Sequence, residues 1–294
     1  MKRYKKELDG KLEVGMVLYT KSFVLRLDRN LCKGCELCRL VCPHYAISLV
    51  RQEDADGKAV APIVDINENK CDFHGICAAV CPFSAISITV NGQEGYPTVV
   101  KDAFPTLSRD IEVQNEKCKP GCKTCEEVCP LGIIKVSAGS DNGTPTVVNV
   151  EKELCAGCQI CWMECPEDAI SVTKFIEGAI KIDPDKCPEG CRRCLDVCPV
   201  DALETGCDGK ILVKDMNCIY CGACKIVCPN KEALIIERTA IRHSPIKSGA
   251  WNKGLEKLTS TAALMRELGA ERVTKVRTAV ENLGGTGKDD KDDQ

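Results

Sequence analysis

A chain of 294 residues with 24 cysteines but only 4% aromatic side chains has thin material for conventional hydrophobic cores, so small modules of about 60 residues need another kind of staple. A formal net charge of -3 argues against direct nucleic-acid binding, and no stretch approaches the roughly 20 apolar residues of a membrane span. The N-terminal run Met1-Lys2-Arg3-Tyr4-Lys5-Lys6-Glu7 leads into no apolar signal core, so a disulfide scaffold in an oxidising compartment is not expected; the chain reads as soluble, reduced and cytoplasmic.

Residues 1–31 form a β-rich lead-in, with Val14-Gly15-Met16-Val17-Leu18-Tyr19 and Phe23-Val24-Leu25-Arg26-Leu27 predicting a strand or hairpin that covers the first cysteine-rich module. Next comes Cys32-Lys33-Gly34-Cys35-Glu36-Leu37-Cys38-Arg39-Leu40-Val41-Cys42-Pro43. Its pattern returns from Cys71, Cys118, Cys155, Cys187 and Cys218, each copy ending in Cys-Pro, and together the copies use every cysteine but Cys207. Between copies, a short apolar run, a polar turn and a second apolar run predict β-hairpins. The turns are placed at Asp54-Ala55-Asp56-Gly57, Asn91-Gly92-Gln93-Glu94-Gly95, Asp141-Asn142-Gly143, Glu177-Gly178 and Asp208-Gly209.

The spacing C-x2-C-x2-C-x3-C-P is that of bacterial ferredoxins. Three thiolates of a short loop grip one iron-sulfur cubane, while the fourth faces away and ligates the cluster of a partner copy. Copies therefore work in pairs, and the fold class is α+β: three tandem bacterial-type modules with two 4Fe-4S clusters each. Pairing consecutive copies gives clusters on Cys32, Cys35, Cys38 and Cys81; on Cys71, His74, Cys77 and Cys42; on Cys118, Cys122, Cys125 and Cys165; on Cys155, Cys158, Cys161 and Cys129; on Cys187, Cys191, Cys194 and Cys228; and on Cys218, Cys221, Cys224 and Cys198. A nested order, with copy two exchanging with copy three and copy one with copy six, is the rival; short connections favour the consecutive one. Zinc would need four ligands converging on one ion, usually from two separated C-x2-C knuckles. Ligation energy becomes folding energy, so the metal-free chain is expected to be largely unfolded.

Copies three and five carry one extra residue, in Cys118-Lys119-Pro120-Gly121-Cys122 and Cys187-Pro188-Glu189-Gly190-Cys191, which a glycine can absorb. Copy two places His74 where the second cysteine belongs. A neutral imidazole ligand makes a cluster less negative and raises its potential; if His74 does not bind, a three-iron cluster or a cubane with a water-occupied iron results. Cys207 reads as an unligated thiol, His44 and His243 as surface residues, and Trp162 as packing against the fourth copy's cluster. An oxidised cubane on four thiolates carries about -2, so six would add roughly -12, or about -11 with one histidine ligand. A redox partner should then present a basic docking surface.

The longest spacer holds an extra segment, Phe104-Pro105-Thr106-Leu107-Ser108-Arg109-Asp110-Ile111, where a module boundary is placed. The modules are drawn at 32–103, 104–178 and 179–240. They are followed by a helical extension over 241–285 and a disordered acidic tail over 286–294. In the extension, Trp251, Leu255, Leu258, Ala262, Met265 and Leu268 recur at helical spacing, Gly269 offers a stop, and Val273, Val276, Val280 and Leu283 repeat the pattern. These two helices either pack on the last module or dock on another subunit.

The repeated motifs over about residues 28–236 resemble archaeal polyferredoxins. The run Cys71-Asp72-Phe73-His74-Gly75-Ile76-Cys77-Ala78-Ala79-Val80-Cys81-Pro82-Phe83, with Tyr96-Pro97, Phe104-Pro105-Thr106-Leu107 and Ile111-Glu112-Val113, looks most like the polyferredoxin F subunit family of formylmethanofuran dehydrogenase. That resemblance implies electron delivery to, or from, a tungsten or molybdenum pterin enzyme that reduces carbon dioxide, within a large hetero-oligomer of pterin-metal and other redox subunits. Two features depart from the family: six copies where members carry more, and His74 in place of a cysteine. A polyferredoxin of a hydrogenase, heterodisulfide reductase or other low-potential complex is the alternative, and a scaffold for cluster assembly a further one. No P-loop, dinucleotide-binding glycine motif or nucleophile with a base is found, so the chain is not expected to be an enzyme on its own.

Overall fold

The computed structural model describes residues 1–95, 105–137, 146–245 and 250–260. It opens with three antiparallel strands, β1 (Lys2–Leu8), β2 (Lys11–Val17) and β3 (Ser22–Asp28). Alternation along β2 buries Leu12, Val14 and Met16. On its other face Glu13 is buried as well, because Arg26 (2.8 Å), Lys6 (3.1 Å) and the Tyr4 hydroxyl (3.2 Å) surround its carboxylate. Gly15 lets the Tyr4 ring lie flat on the strand; a Cβ there would meet Cζ at 2.2 Å.

The first cysteine copy ends in α1 (Leu37–Val41), followed by the hairpin β4 (Ile47–Glu53) and β5 (Ala59–Ile66) around the Asp54–Gly57 turn. Copy two carries α2 (Ile76–Ala79), β6 (Ile86–Val90) and the short β7 (Gln93–Glu94). β6 pairs with β3, Leu25 opposite Ile88, so one sheet runs β1-β2-β3-β6-β7. The strands of residues 1–31 thus join the first unit through β3, which pairs with β6.

The arrangement of an outer strand pair and an inner hairpin recurs. β8 (Ile111–Val113), α3 (Thr124–Glu127), β9 (Ile134–Ser137), β10 (Val147–Val150), α4 (Ile160–Met163) and β11 (Ile170–Val172) come next in the chain, with β8 paired to β11 and β9 to β10. After them stand β12 (Ile176–Ile182), α5 (Arg193–Asp196), β13 (Leu203–Thr205), β14 (Ile211–Val213), α6 (Ala223–Val227) and β15 (Leu234–Ile241), with β12 paired to β15 and β13 to β14. The turn expected at Glu177-Gly178 is instead a β-bulge inside β12, and a Cβ at Gly178 would lie 2.1 Å from the Glu237 carbonyl. Because β12 starts at Ile176, the boundary drawn at 178/179 falls within a strand.

Two apolar cores result. One holds Ile111, Ile134, Val148, Ile170 and Val172 of the middle unit. The other runs without a break through the first and last units and takes in Ala156 and Phe175 from the middle one. Residues 105–109 lie against the end of β15: the Ser244 amide donates to Thr106 (2.9 Å), the Ser108 amide to Arg242 (3.2 Å), and Leu107 bridges His243. His243 is therefore half-buried, not a surface residue.

The helix α7 (Ala250–Thr259) packs on α1 and β15, so it closes the first unit as well as the last, and Leu258 is buried there. The expected Asp141–Gly143 turn, the second C-terminal helix and the acidic tail lie outside the described residues.

Candidate metal centres

Backbone conformation shapes each cysteine loop. Two residues after the first cysteine the chain turns left-handed, at Gly34 (φ 62°), Phe73 (57°), Gly157 (75°) and Tyr220 (51°). In the longer copies Gly121 (78°) and Gly190 (69°) do the same one residue later. Such turns point successive amides into one concavity, the form of backbone that accepts anions and iron-sulfur centres.

A second device comes after four of the six Cys-Pro pairs. Three residues past the cysteine, Tyr45, Ser84, Asp168 and Asp201 are left-handed, with φ between 47° and 50°. The next amide is thereby turned back: Ala46, Ala85, Ala169 and Ala202 donate to Sγ of Cys42, Cys81, Cys165 and Cys198, each at 3.3 Å. Hydrogen bonds to ligand sulfur are a lever on cluster potential. The repeated alanine four residues after these cysteines was the sequence signal for this device.

The thiols gather around volumes. Cys129, Cys155, Cys158 and Cys161 line a cavity whose remaining wall is mostly apolar, including Ile111, Ile134 and Val172. Cys118, Cys122, Cys125 and Cys165 line a second. Cys198, Cys218, Cys221 and Cys224 line a third. Cys42, Cys71 and Cys77 share a fourth with His74. In each case the cysteine before proline comes from the other copy of the consecutive pair.

For the remaining residues, charge interactions reach both within and beyond the consecutive pairs. After burial, Cys35 is raised by Cys38, Cys221 and Cys81, and Cys38 by Cys77, Cys81 and Cys32, while Cys81 also raises Cys32. Burial and then Cys228 and Cys191 raise Cys187, while burial and then Cys191 raise Cys194. All 24 cysteines are free thiols, and Cys207 is exposed.

These thiols suit a multinuclear iron centre. Burial pushes Cys158 and Cys218 up to about 11 and Cys161, Cys194 and Cys221 up to about 12. Left alone they stay protonated, so a cationic centre must supply the charge that makes them ligands. Among the described residues no three His, Cys, Asp or Glu side chains converge to hold a single ion.

At His74, burial and then the neighbouring His44 push the imidazole below its usual range, which keeps it in the neutral form that binds metal. The rings lie 6.0 Å apart. His44 is exposed, as expected of a surface residue, but it also pairs with Asp72 at 2.9 Å and lines the His74 cavity. Arg3 reaches from β1 to the carbonyls of Glu68 (2.6 Å) and Cys71 (2.5 Å), so the N-terminal sheet covers this site. Trp162, on α4, is 40% exposed.

Comparison with known proteins agrees with this chemistry. Models of the 4Fe-4S dicluster domain match residues 31–85, 154–202 and 179–229. The 154–202 match spans two successive copies, whereas in the fold the Cys155 cavity is completed by Cys129. A ferredoxin of Methanothermococcus thermolithotrophicus is 34% identical over 61 residues, 20% of this chain and 100% of that one. Pyruvate synthase subunit PorD of Methanocaldococcus jannaschii is 41% identical over 54 residues; the match takes in 18% of this chain and 59% of PorD.

A solved chain of the formate dehydrogenase - heterodisulfide reductase - formylmethanofuran dehydrogenase complex from Methanospirillum hungatei superposes with a TM-score of 0.78 at 30% identity, over 88% of this chain and 91% of that chain. The chain belongs to the 4Fe-4S dicluster ferredoxin family. It is an iron-sulfur electron-transfer protein of tandem dicluster domains, related to subunits of archaeal oxidoreductases. No described helix is long and apolar enough to cross a membrane.

Proposed function

We propose that this chain is the polyferredoxin subunit that relays low-potential electrons to or from a carbon dioxide-reducing formylmethanofuran dehydrogenase. The observation that carries this is the match over 88% of its own length to a chain of a complex containing that enzyme. The two chains are similar in extent, which supports the reading.

The reading holds three dicluster modules and six 4Fe-4S clusters, with the ligand sets of consecutive pairing. His74 completes the set of Cys42, Cys71 and Cys77, whose cavity it lines. When bound, the clusters supply one-electron carriers at low potential. The protein fixes their separation, walls the thiols with apolar side chains, and aims the Ala46, Ala85, Ala169 and Ala202 amides at sulfur. Its partners are pterin-metal and other redox subunits of a cytoplasmic assembly.

Anaerobic isolation from the native host, with mass spectrometry of co-purifying subunits and a tungsten and molybdenum assay, tests the reading. Pterin-metal subunits at equal stoichiometry are expected. The likeness to PorD favours a second reading, a relay for another low-potential oxidoreductase; subunits of such an enzyme, with neither metal, would replace the first.

A further inference from the structure

Three buried or half-buried cations sit between cysteine sites belonging to different units. Arg109 donates to the carbonyls of Cys81 (3.0 Å) and Pro82 (3.0 Å) on one side and to that of Cys155 on the other, and its guanidinium lies 5.3 Å from the centre of the buried Phe175 ring. Lys174 donates to the carbonyls of Asp215 (2.9 Å) and Cys218 (3.0 Å), and its chain neighbours Thr173 and Phe175 lie against Gly157 of the Cys155 loop, where a Cβ would meet them at 3.5 and 3.3 Å. Arg238 donates to the carbonyls of Tyr220 (2.8 Å) and Cys221 (3.3 Å) and pairs at 3.0 Å with Glu36, the neighbour of Cys35.

The pairs joined are Cys81 with Cys155, Cys158 with Cys218, and Cys35 with Cys221. They close a triangle among the sets that begin at Cys32, Cys155 and Cys218. The Glu36 amide also donates to the Cys221 carbonyl (3.4 Å), and the apolar core runs through the same meeting point, where Ala156, Phe175, Ile219 and Tyr220 are buried together. The other three sets lie outside it. Among them the Cys118 set and Cys187, Cys191 and Cys194 are partly exposed, whereas Cys42, Cys71 and Cys77 are buried beneath the N-terminal sheet. Arg51, from β4, reaches the Cys228 carbonyl (2.9 Å) of an outer set.

We propose that Arg109, Lys174 and Arg238 are positioning residues that lock the Cys32, Cys155 and Cys218 sets into a three-way junction, with the Cys71, Cys118 and Cys187 sets as its three branches. The chain is thus a branched connector in which any branch reaches either of the others through two inner sites. Arg109 and Lys174 also place positive charge between inner sets, which favours the reduced, more negative state there. The inference rests on the six-site reading but not on the identity of the partner enzyme.

The test is a potentiometric titration of the cluster-loaded full chain, monitored by low-temperature EPR, with iron counted separately. Arg109→Gln should move two of the resolved reduction steps to more negative potential, and Lys174→Gln should also move two. In the double variant three steps should move, one of them by the sum of both shifts, because the Cys155 set is shared. Arg109→Lys should restore the wild-type steps.

Full iron with no displaced step, with only one displaced, or with four displaced and none shared would overturn the junction. Iron short of six clusters in the wild-type chain would instead overturn the six-site reading beneath it. Should Arg109→Gln fail to hold iron, Lys174→Gln alone decides: two displaced steps support the junction, any other number rejects it.

Discussion

Glu36 and Arg238 are 202 positions apart in the chain and 3.0 Å apart in the fold, with 3% and 4% of their side chains exposed. Lys225 approaches the same carboxylate at 3.7 Å. Breaking a buried pair by removing one partner strands a charge and costs about 3–5 kcal/mol, whereas replacing both with apolar groups is often neutral. Arg238→Met should therefore lower the stability of the cluster-loaded protein by about that amount. Glu36→Met/Arg238→Met should recover most of it. Anaerobic denaturant unfolding measures both, and a double variant as weak as the single would mean that lost packing dominates.

Gly34 and Gly57 both have positive φ, 62° and 78°, but only one is crowded. A Cβ at Gly34 would meet the Pro62 carbonyl oxygen at 2.5 Å, while Gly57 faces open space. Gly57→Ala should cost about 1 kcal/mol, the ordinary left-handed penalty. Gly34→Ala must push the first cysteine loop off β5, and a measurable loss of iron per chain is expected. Equal iron content and equal stability in the two variants would contradict the crowding at Gly34.

His74 lines the cavity shared by Cys42, Cys71 and Cys77. If it ligates, the oxidised wild-type protein gives no stoichiometric three-iron EPR signal and His74→Ala gains one. His74→Cys should keep a cubane and move one reduction step to more negative potential, since a thiolate adds negative charge. A full three-iron signal in the wild type would remove the histidine from the ligand set.

Cys158 and Cys218, raised by burial to about 11, and Cys161 and Cys221, raised to about 12, start from an ordinary value of 9.0. A raised thiol pKa means that the folded metal-free sites retain protons the unfolded chain would lose. Any stability from these groups is complete below pH 9 and disappears as pH climbs through about 11 to 12. At neutral pH each thiol must lose its proton to bind iron, so cluster uptake should release roughly one proton per ligand and proceed more readily from pH 7 to pH 9. Proton release in weak buffer during anaerobic reconstitution checks this; a yield indifferent to pH would count against buried protonated thiols as the starting state.

The cysteine chemistry was plain in the sequence because ligand spacing is a local property, and so were the hairpins at Asp54–Gly57 and Asp208–Gly209, where Asp and Gly close tight turns. Gly178 misled for the same reason: a glycine beside a polar residue reads as a turn, and only its distant partner strand, at Glu237, reveals the bulge. The left-handed backbone at Phe73 and Tyr220 has no sequence marker, since such residues rarely adopt it. Arg109 and Lys174 stand outside every motif and look like ordinary surface cations until the fold brings two cysteine loops to each. Trp162 shows the converse, a large aromatic inside a motif that the short helix α4 leaves on the surface.

α7 lies over α1, and Glu36 finds Arg238 only from the far end of the chain. During synthesis, the first cysteine loop to leave the ribosome is therefore the last to be sealed, by residues made after every other ligand. Every cysteine ligand is thus already made when the residues that cover the first loop leave the ribosome.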